Sequence, residues 1–140
     1  NCFELTVNSK DYIEFIQKFL IWGKDKTFSI RLRYPLQNYS EDFLRGFARG
    51  LMDTDGFLNP ANVVCACISK NLIDDLEAIF LKFGMETTRI SLKREGNRRE
   101  LFYVRVRRRS LQKYSDLIGF SNEYKLKQLN SILGKDLKEH

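Results

Sequence analysis

Residues 49–57 read RGLMDTDGF and place two aspartates, Asp53 and Asp55, directly before a glycine. The preceding residues have the apolar spacing of a helix. Ser40 is a favourable N-cap and Gly56 a favourable stop, so we predict a helix over residues 41–53. The C-terminal end of a helix carries partial negative charge and normally attracts cations. Two carboxylates at this end therefore predict a counter-charge beside them.

Two glycines lie inside the same predicted helix. Gly46 and Gly50 are four residues apart and therefore lie on one helix face. A glycine within a helix costs about 1 kcal/mol relative to alanine, so two of them indicate that a second helix backbone packs closely there. The alternative is that the protein's own sheet covers this face. The residues assigned to the helix interface are Gly46, Phe47, Gly50 and Leu51.

The composition limits the class of protein. With 140 residues, 43% of them hydrophobic, the chain suits one globular domain or two small ones. The sequence has no apolar run long enough for a membrane span, no signal-peptide pattern and no CxxC among its three cysteines. These features predict an intracellular protein with reduced cysteines and no membrane partner. Because the single histidine is His140, the last residue, catalysis by an internal histidine and histidine-bound zinc are disfavoured.

The positive charge is concentrated in one segment. The chain carries a net charge of +6, and residues 85–109 alone contain nine Lys and Arg against three Glu. In LFYVRVR, residues 101–107, apolar side chains alternate with Tyr103, Arg105 and Arg107. This alternation predicts a strand with one face in the core and one cationic face.

A second strand precedes this one. Ile90 and Leu92 alternate with polar and basic side chains over residues 89–93, and the connecting REGNRR contains a Gly-Asn turn. We predict an antiparallel hairpin in which Arg89 and Lys93 share the cationic face with Arg105, while Ile90 and Leu92 face the core.

The same basic pattern occurs earlier, in KDKTFSIRLRYP, residues 24–35. Two-stranded ribbons fit the major groove of duplex DNA, where arginine reads guanine edges and contacts phosphates. Two basic strands therefore favour nucleic-acid binding over a merely solvated charged surface. The candidate DNA contacts are Ser29, Arg31, Arg33, Arg89, Ser91, Lys93, Arg98, Arg99, Tyr103, Arg105 and Arg107.

The chain also contains an internal similarity. FELTVNSKDYIEFIQKFLIWG, residues 3–23, aligns with VVCACISKNLIDDLEAIFLKFG, residues 63–84, through the Ser-Lys pairs at 9–10 and 69–70. Each unit is a short strand and an amphipathic helix followed by a basic strand. We therefore predict that residues 1–36 form a strand-helix-strand unit at the end of a first repeat. Residues 37–140 then form a second repeat, closed by helices over 111–117 and 123–133.

Residues 48–56 resemble the nine-residue signature of the LAGLIDADG homing endonucleases, and the shared positions are Gly50, Leu51, Asp53, Asp55 and Gly56. The order of basic strand, motif helix, strand, helix, basic hairpin and closing helices extends the resemblance over nearly the whole chain. The resemblance implies an α+β fold, with a saddle-shaped antiparallel sheet and helices packed on one face.

The resemblance also implies a function and a site. Members pair two motif helices and cut double-stranded DNA with a divalent metal ion, held by the penultimate acid of each motif. Carried over, Asp55 is the metal ligand and catalytic acid, Mg²⁺ or Mn²⁺ is the cofactor, and Asp53 braces the helix end. The second motif helix would come from an absent N-terminal half, another chain or a homodimer.

Several alternatives remain open from the sequence. A DNA-binding regulator without cleavage activity and an RNA-splicing maturase would present the same basic surface. Lys70, in the turn before the second-repeat helix, is a candidate for the basic residue near the scissile phosphate, and an exposed lysine at a helix start is the alternative.

Overall fold

The chain folds as an α+β unit whose strands are antiparallel. The computed structural model describes residues 18–23, 30–59, 62–96 and 98–138, with only the backbone over 135–138. The elements are β1 (Leu20–Ile21), β2 (Arg31–Leu32), α1 (Glu41–Asp55), β3 (Gly56–Asn59), β4 (Asn62–Cys67), α2 (Lys70–Lys82), β5 (Thr87–Leu92), β6 (Leu101–Val106), α3 (Leu111–Leu117) and α4 (Glu123–Lys138).

Four strands form the main sheet in the order β3-β4-β6-β5. One surface, the helix face, carries Val63, Cys65, Cys67, Phe102, Val104 and Val106, all of which pack into the hydrophobic core with residues of the helices. The opposite surface, the open face, carries Phe57, Val64, Ala66, Thr88, Ile90, Leu92, Leu101, Tyr103 and Arg105. The helices therefore lie on one side of the sheet.

Helix α1 begins and ends where its local chemistry requires. The Ser40 side chain accepts a hydrogen bond from the backbone of Phe43, and the buried side of the helix includes Leu44 and Ala48. The helix continues to Asp55, two residues beyond the predicted end, because the Gly56 N–H still donates to the carbonyl of Met52. A Cβ at Gly56 would lie 2.6 Å from that carbonyl oxygen, so the close approach requires glycine.

The register of the hairpin corrects the prediction for β5. Arg89 pairs with Val104 and Ile90 pairs with Tyr103. Because directly opposed residues of an antiparallel pair share a face, Arg89 lies on the helix face and Ile90 on the open face. Arg89 is held there by Asp74 at 2.9 Å and Glu77 at 3.2 Å, both on α2. The predicted grouping of Arg89 with Arg105 is therefore wrong.

A short ribbon of β1 and β2 packs beside the main sheet. Leu20 pairs with Leu32, both buried, and the N–H of Leu32 donates to the Asp75 carboxylate at 2.7 Å. Trp22 packs against the same core. The ribbon is joined to α1 by stacked rings, since Phe43 lies 4.9 Å from Phe19 between ring centroids. Most of the proposed first-repeat unit, including Ser29, lies outside the described residues.

The cysteines differ from the prediction at one position. Cys65 is a free, buried thiol, whereas Cys67 is disulfide-bonded, so the expectation of reduced strand cysteines is wrong for Cys67. Disulfides are most common in oxidising compartments, and the intracellular location stays a prediction. In the part of the chain that is described, no helix combines the length and apolarity needed to span a bilayer.

Candidate functional site: the end of the motif helix and the open face of the sheet

The counter-charge at the end of α1 is a lysine from the last helix. The ammonium of Lys125 donates to the carbonyl of Asp53 at 2.6 Å and to that of Met52 at 3.1 Å. A cation on the terminal carbonyls of a helix satisfies orphan acceptors and offsets the negative end of the helix. This contact offsets part of the negative charge that Asp53 and Asp55 add at the end of the helix.

Lys125 is a site residue that the sequence prediction missed. It lies within the first turn of α4, a position where the helix end disfavours a cation. A lysine so placed signals a partner elsewhere in the fold. The 72 residues that separate it from Asp53 left that partner unidentified.

Asp53 acts as a structural brace. One oxygen of its carboxylate accepts from the backbone N–H groups of Ser121 and Asn122, at 2.8 and 3.1 Å. These groups lead into α4, so Asp53 fixes the start of the helix that carries Lys125. This geometry agrees with the expectation that Asp53 braces a helix end, and it leaves Asp55 as the carboxylate available for chemistry.

Two arginines of α1 attach the helix to α3. The Nε atoms of Arg45 and Arg49 donate to the carbonyls of Leu117 and Ile118, each at 2.6 Å. Because these carbonyls end α3, the arginines serve as C-terminal counter-charges there. The basic side chains of α1 are therefore structural, and they attach the middle of this helix to the end of α3.

The surroundings of Asp55 disfavour the charged form of its carboxylate. Partial burial raises its pKa from the ordinary value of 3.8 to about 6, although the Thr54 hydroxyl and Lys125 lower it. A buried acid at the negative end of a helix gains from any nearby cation. Burial of the Cys65 thiol, together with the negative charge of Asp55, raises the pKa of that thiol to about 12. Cys65 therefore stays protonated at neutral pH and offers no thiolate ligand.

Asp55 lines a cleft of about 580 Å³ together with Ala66, Leu101 and Arg94. Ala66 and Leu101 belong to the open face, so the cleft opens on the side of the sheet opposite the helices. Arg94, which follows β5, contributes a basic side chain to the lining of this cleft. The sequence prediction counted Arg94 in the charged segment without selecting it.

Lys70 does not line this cleft. It lies at the start of α2, where its ammonium is 2.9 Å from Asp74 and its side chain is 62% exposed. The geometry supports the alternative of an exposed lysine at a helix start. Lys70 is therefore not proposed as a catalytic residue.

The open face combines basic, aromatic and aliphatic side chains. Arg105 and Tyr103 lie there as predicted, next to each other along β6. Ile90 and Leu92 lie beside them on β5 instead of in the core, 41% and 48% exposed. The register places Ile90 on this face instead of Arg89. The face is therefore less uniformly cationic than the alternation predicted.

The remaining predicted DNA contacts occupy three places. Arg31 and Arg33 are exposed on and beside the ribbon, where Arg31 lies 3.9 Å from Asp75. Lys93, Arg98 and Arg99 are exposed in the connection between β5 and β6, and Arg107 is exposed just after β6. Ser91 pairs with Phe102, which places it on the same side of the strand as Arg89.

The glycine face of α1 is open. Among the described residues, nothing lies within 4 Å of a Cβ built at Gly46 or Gly50. The alternative that the protein's own sheet covers this face is therefore wrong. Phe47 lies partly buried beside it, stacked on Phe43 at 6.2 Å. Leu51 is 2% exposed and belongs to the core of this chain, so its assignment to the helix interface is incorrect.

The described residues do not form a complete metal site. No group of three or more His, Cys, Asp or Glu side chains within them is placed to hold a metal ion. The side chain of Asp55 faces the cleft, whereas the nearby carbonyls of Met52 and Asp53 are bound by Lys125. A hard cation at this position would therefore need oxygen ligands from outside the described residues.

Comparison with known proteins gives a family and three relatives. A family model described as a LAGLIDADG-like domain matches residues 42–119. The chain is 32% identical over 131 residues to a replication factor C small subunit of Methanocaldococcus jannaschii, covering 93% of this chain and 7% of that protein. It is 24% identical to a glutamine–fructose-6-phosphate aminotransferase and 26% identical to a probable translation initiation factor of the same organism. These matches cover 96% and 83% of this chain and 13% and 10% of those proteins. No solved structure matches the chain.

Proposed function

The chain belongs to the LAGLIDADG-like domain family, and from this membership and its site we propose that it is the DNA-binding and cleaving part of a site-specific endonuclease. One observation carries the proposal. The acidic side chain and the basic side chains of the sheet lie on the same side of the molecule. Asp55 lines a cleft on the open face, and Ala66 in that cleft is paired with Tyr103, next to Arg105 on β6. An acid beside a surface that carries arginine side chains suits phosphodiester hydrolysis.

The binding step rests on the open face and its surroundings. Arg105 would read base edges in the major groove, while Arg107, Lys93 and the arginines of the hairpin connection would meet phosphates. Arg94 lies in the cleft with Asp55, so it is our candidate for holding the phosphate next to the acid. Arg89 has no part in this step, because it pairs with α2 on the other side of the sheet.

Asp55 fits a divalent cation as one ligand of a shared site. Its carboxylate is partly buried, its pKa is raised, and the Met52 and Asp53 carbonyls beside it are already bound. When bound, Mg²⁺ or Mn²⁺ would supply water activation and charge neutralisation for the cleaved phosphodiester. Lys125 would keep the end of α1 in place and limit the charge repulsion that Asp55 experiences.

The open glycine face supplies the place for a second motif helix. Two helix backbones approach closely only where side chains are absent, and Gly46 and Gly50 leave that space. A second acid from such a partner would complete the ligand set of Asp55. The partner would be another chain, a second copy of this one or a first repeat of the same protein.

The relatives support the interpretation that this segment has an activity independent of the proteins in which it occurs. Their names describe a replication factor subunit, an aminotransferase and a translation factor, and the chain spans only 7% to 13% of the length of these curated relatives. Because one segment recurs in proteins of unrelated activity, we infer that it is an insert, as an intein- or intron-borne endonuclease would be. An intracellular location is consistent with this proposal.

The test begins with selection of a bound sequence from randomised duplex DNA in EDTA, using the chain assembled with its second motif helix, followed by addition of Mg²⁺ to the selected duplex. We expect a double-strand break at a fixed position. Asp55→Asn should abolish cleavage and retain binding, and Asp42→Asn, at the exposed start of the same helix, should retain both. Specific binding without cleavage by the wild type would favour a regulator, and preference for structured RNA over duplex DNA would favour a maturase.

A further inference from the structure

The open face carries aliphatic side chains where a purely electrostatic platform would need none. Ile90 is 41% exposed and Leu92 is 48% exposed, both on the outer strand β5. Neither belongs to the hydrophobic core of the described residues. Exposed aliphatic groups on a sheet cost solvation free energy, which a partner recovers by covering them.

The register fixes the neighbours of these two side chains. Ile90 lies opposite Tyr103, Leu92 lies opposite Leu101, and Thr88 lies opposite Arg105. All three pairs share the open face, since directly opposed residues point to the same side. The aliphatic pair is therefore part of the same two-stranded surface as Arg105.

Charge selects DNA as the occupant of this surface. Arg105 lies at one end of the hairpin's open face and Arg94 follows β5 at the other, and the whole chain carries a net charge of +6. An apolar protein partner would have to cover these arginines without pairing them. In the major groove the edges of the bases present one apolar group, the 5-methyl of thymine.

The spacing of the two side chains matches the spacing of base pairs. Residues two apart on an antiparallel strand are separated by about 6.8 Å. Successive base pairs of duplex DNA rise by about 3.4 Å. Ile90 and Leu92 therefore face positions about two base pairs apart when β5 lies in the groove nearly parallel to the duplex axis.

We propose that Ile90 and Leu92 determine sequence specificity by contacting the 5-methyl groups of thymines about two base pairs apart, alongside base reading by Arg105. The inference rests on the proposed DNA-binding function and extends it from the substrate class to two bases. It makes the hairpin a reader of both hydrogen-bonding and apolar groups. A surface used only to hold phosphates would be insensitive to either.

The experiment replaces thymine by deoxyuridine, which forms the same base pair and lacks only the methyl group. A duplex selected by the 140-residue chain in EDTA is resynthesised with one deoxyuridine at each thymine in turn, and its affinity is measured. We expect a loss of about fourfold at two thymines, the loss expected when one buried methyl is removed. The other thymines should show no change.

Variants assign the two positions to the two side chains. Ile90→Ala should remove the deoxyuridine effect at one thymine, and Leu92→Ala at the other. Leu81→Ala, a leucine 55% exposed on α2, is the matched control and should leave both effects intact. The exposed positions of these residues make loss of folding unexpected, and circular dichroism checks it.

The outcomes separate this inference from the proposed function. Sequence-specific binding with no deoxyuridine effect would overturn the methyl contacts and leave the endonuclease proposal standing. Deoxyuridine effects that persist unchanged in both variants would overturn the assignment to Ile90 and Leu92. Absence of any preference for duplex DNA would overturn the proposed function, and the inference with it.

Discussion

Asp55 is placed where its negative charge is doubly unfavourable, because it is partly buried and lies at the negative end of α1. We predict that Asp55→Asn stabilises the fold by about 1 kcal/mol near pH 7. The raised pKa means that the folded state holds its proton more tightly than the unfolded state. The penalty is therefore absent below about pH 4, develops as pH rises to about 6 and is constant above.

Urea unfolding of the wild type and Asp55→Asn between pH 4 and pH 8 measures this difference. The two proteins should have similar stability near pH 4 and diverge towards pH 6. Asp42→Asn is the control, since an acid in the first turn of α1 is favourable and its loss should destabilise slightly. Equal stability of Asp55→Asn and the wild type at pH 8 would contradict the electrostatic account.

Lys125 carries the second prediction at this scale. Lys125→Met removes the ammonium that makes both hydrogen bonds to the terminal carbonyls of α1 and should cost roughly 1–3 kcal/mol of unfolding free energy. It should also raise the pKa of Asp55, because the ammonium lowers that pKa in the native protein. The acid limb of the cleavage-rate profile should therefore move to higher pH.

Lys127→Met is the matched control for this variant, because Lys127 lies two residues away on α4 and is exposed. It should change neither the unfolding free energy by more than about 0.5 kcal/mol nor the pH profile. A Lys125 variant as stable as the Lys127 variant would show that the contacts to Met52 and Asp53 contribute nothing.

At the scale of the element, α1 presents two open glycines. Because nothing described approaches a Cβ at Gly50, Gly50→Leu should leave the isolated chain folded and improve helix propensity by up to about 1 kcal/mol. The same substitution should block a second motif helix and so reduce assembly. Thermal melting and sedimentation velocity, without and with DNA, report the two effects separately.

The matched control for the helix interface is Gly134→Leu, at a glycine of α4 that also has open space around it among the described residues. It should give a similar melting curve and leave assembly intact. If Gly50→Leu assembles as well as Gly134→Leu, the glycine face of α1 has no partner. The stability readout keeps this result distinct from simple unfolding.

The elements that the sequence predicts well are those with local signals. Ser40 and Gly56 bound α1 to within two residues, and the predicted closing helix over 111–117 is confirmed. The face assignment of β5 failed, because alternation within one strand defines two faces without saying which is buried. That choice depends on pairing with β6 and on Asp74 and Glu77, which lie on another element. The contact of Lys125 is likewise long-range, and no local pattern identifies its partner.

At the scale of the whole molecule, the basic surface should divide into reading and holding residues. Arg105 lies on the open face, whereas Arg109 follows the sheet and lies 3.0 Å from Glu86. We predict that Arg105→Ala costs roughly 1–3 kcal/mol at one or two base pairs and relaxes preference there. Arg109→Ala should weaken all sequences alike and reduce the salt slope by at most about one ion.

Binding-site selection on each variant, with affinities measured at two salt concentrations, distinguishes the two roles. We expect the wild type and both variants to share one fold, because neither arginine is buried in the core. If both variants lose affinity equally for all sequences, the sheet acts only as an electrostatic platform. The proposal of a site-specific endonuclease would then give way to a general nucleic-acid binder.

The ribbon of β1 and β2 gives the molecule a built-in optical reporter. The chain contains one tryptophan, Trp22, and this indole packs against the core beside the ribbon. Its emission therefore reports on the contact between the ribbon and the core, whereas far-ultraviolet dichroism reports mainly on the helices. Coincident transitions by the two signals indicate one cooperative unit, and an earlier change in emission indicates that the ribbon detaches first.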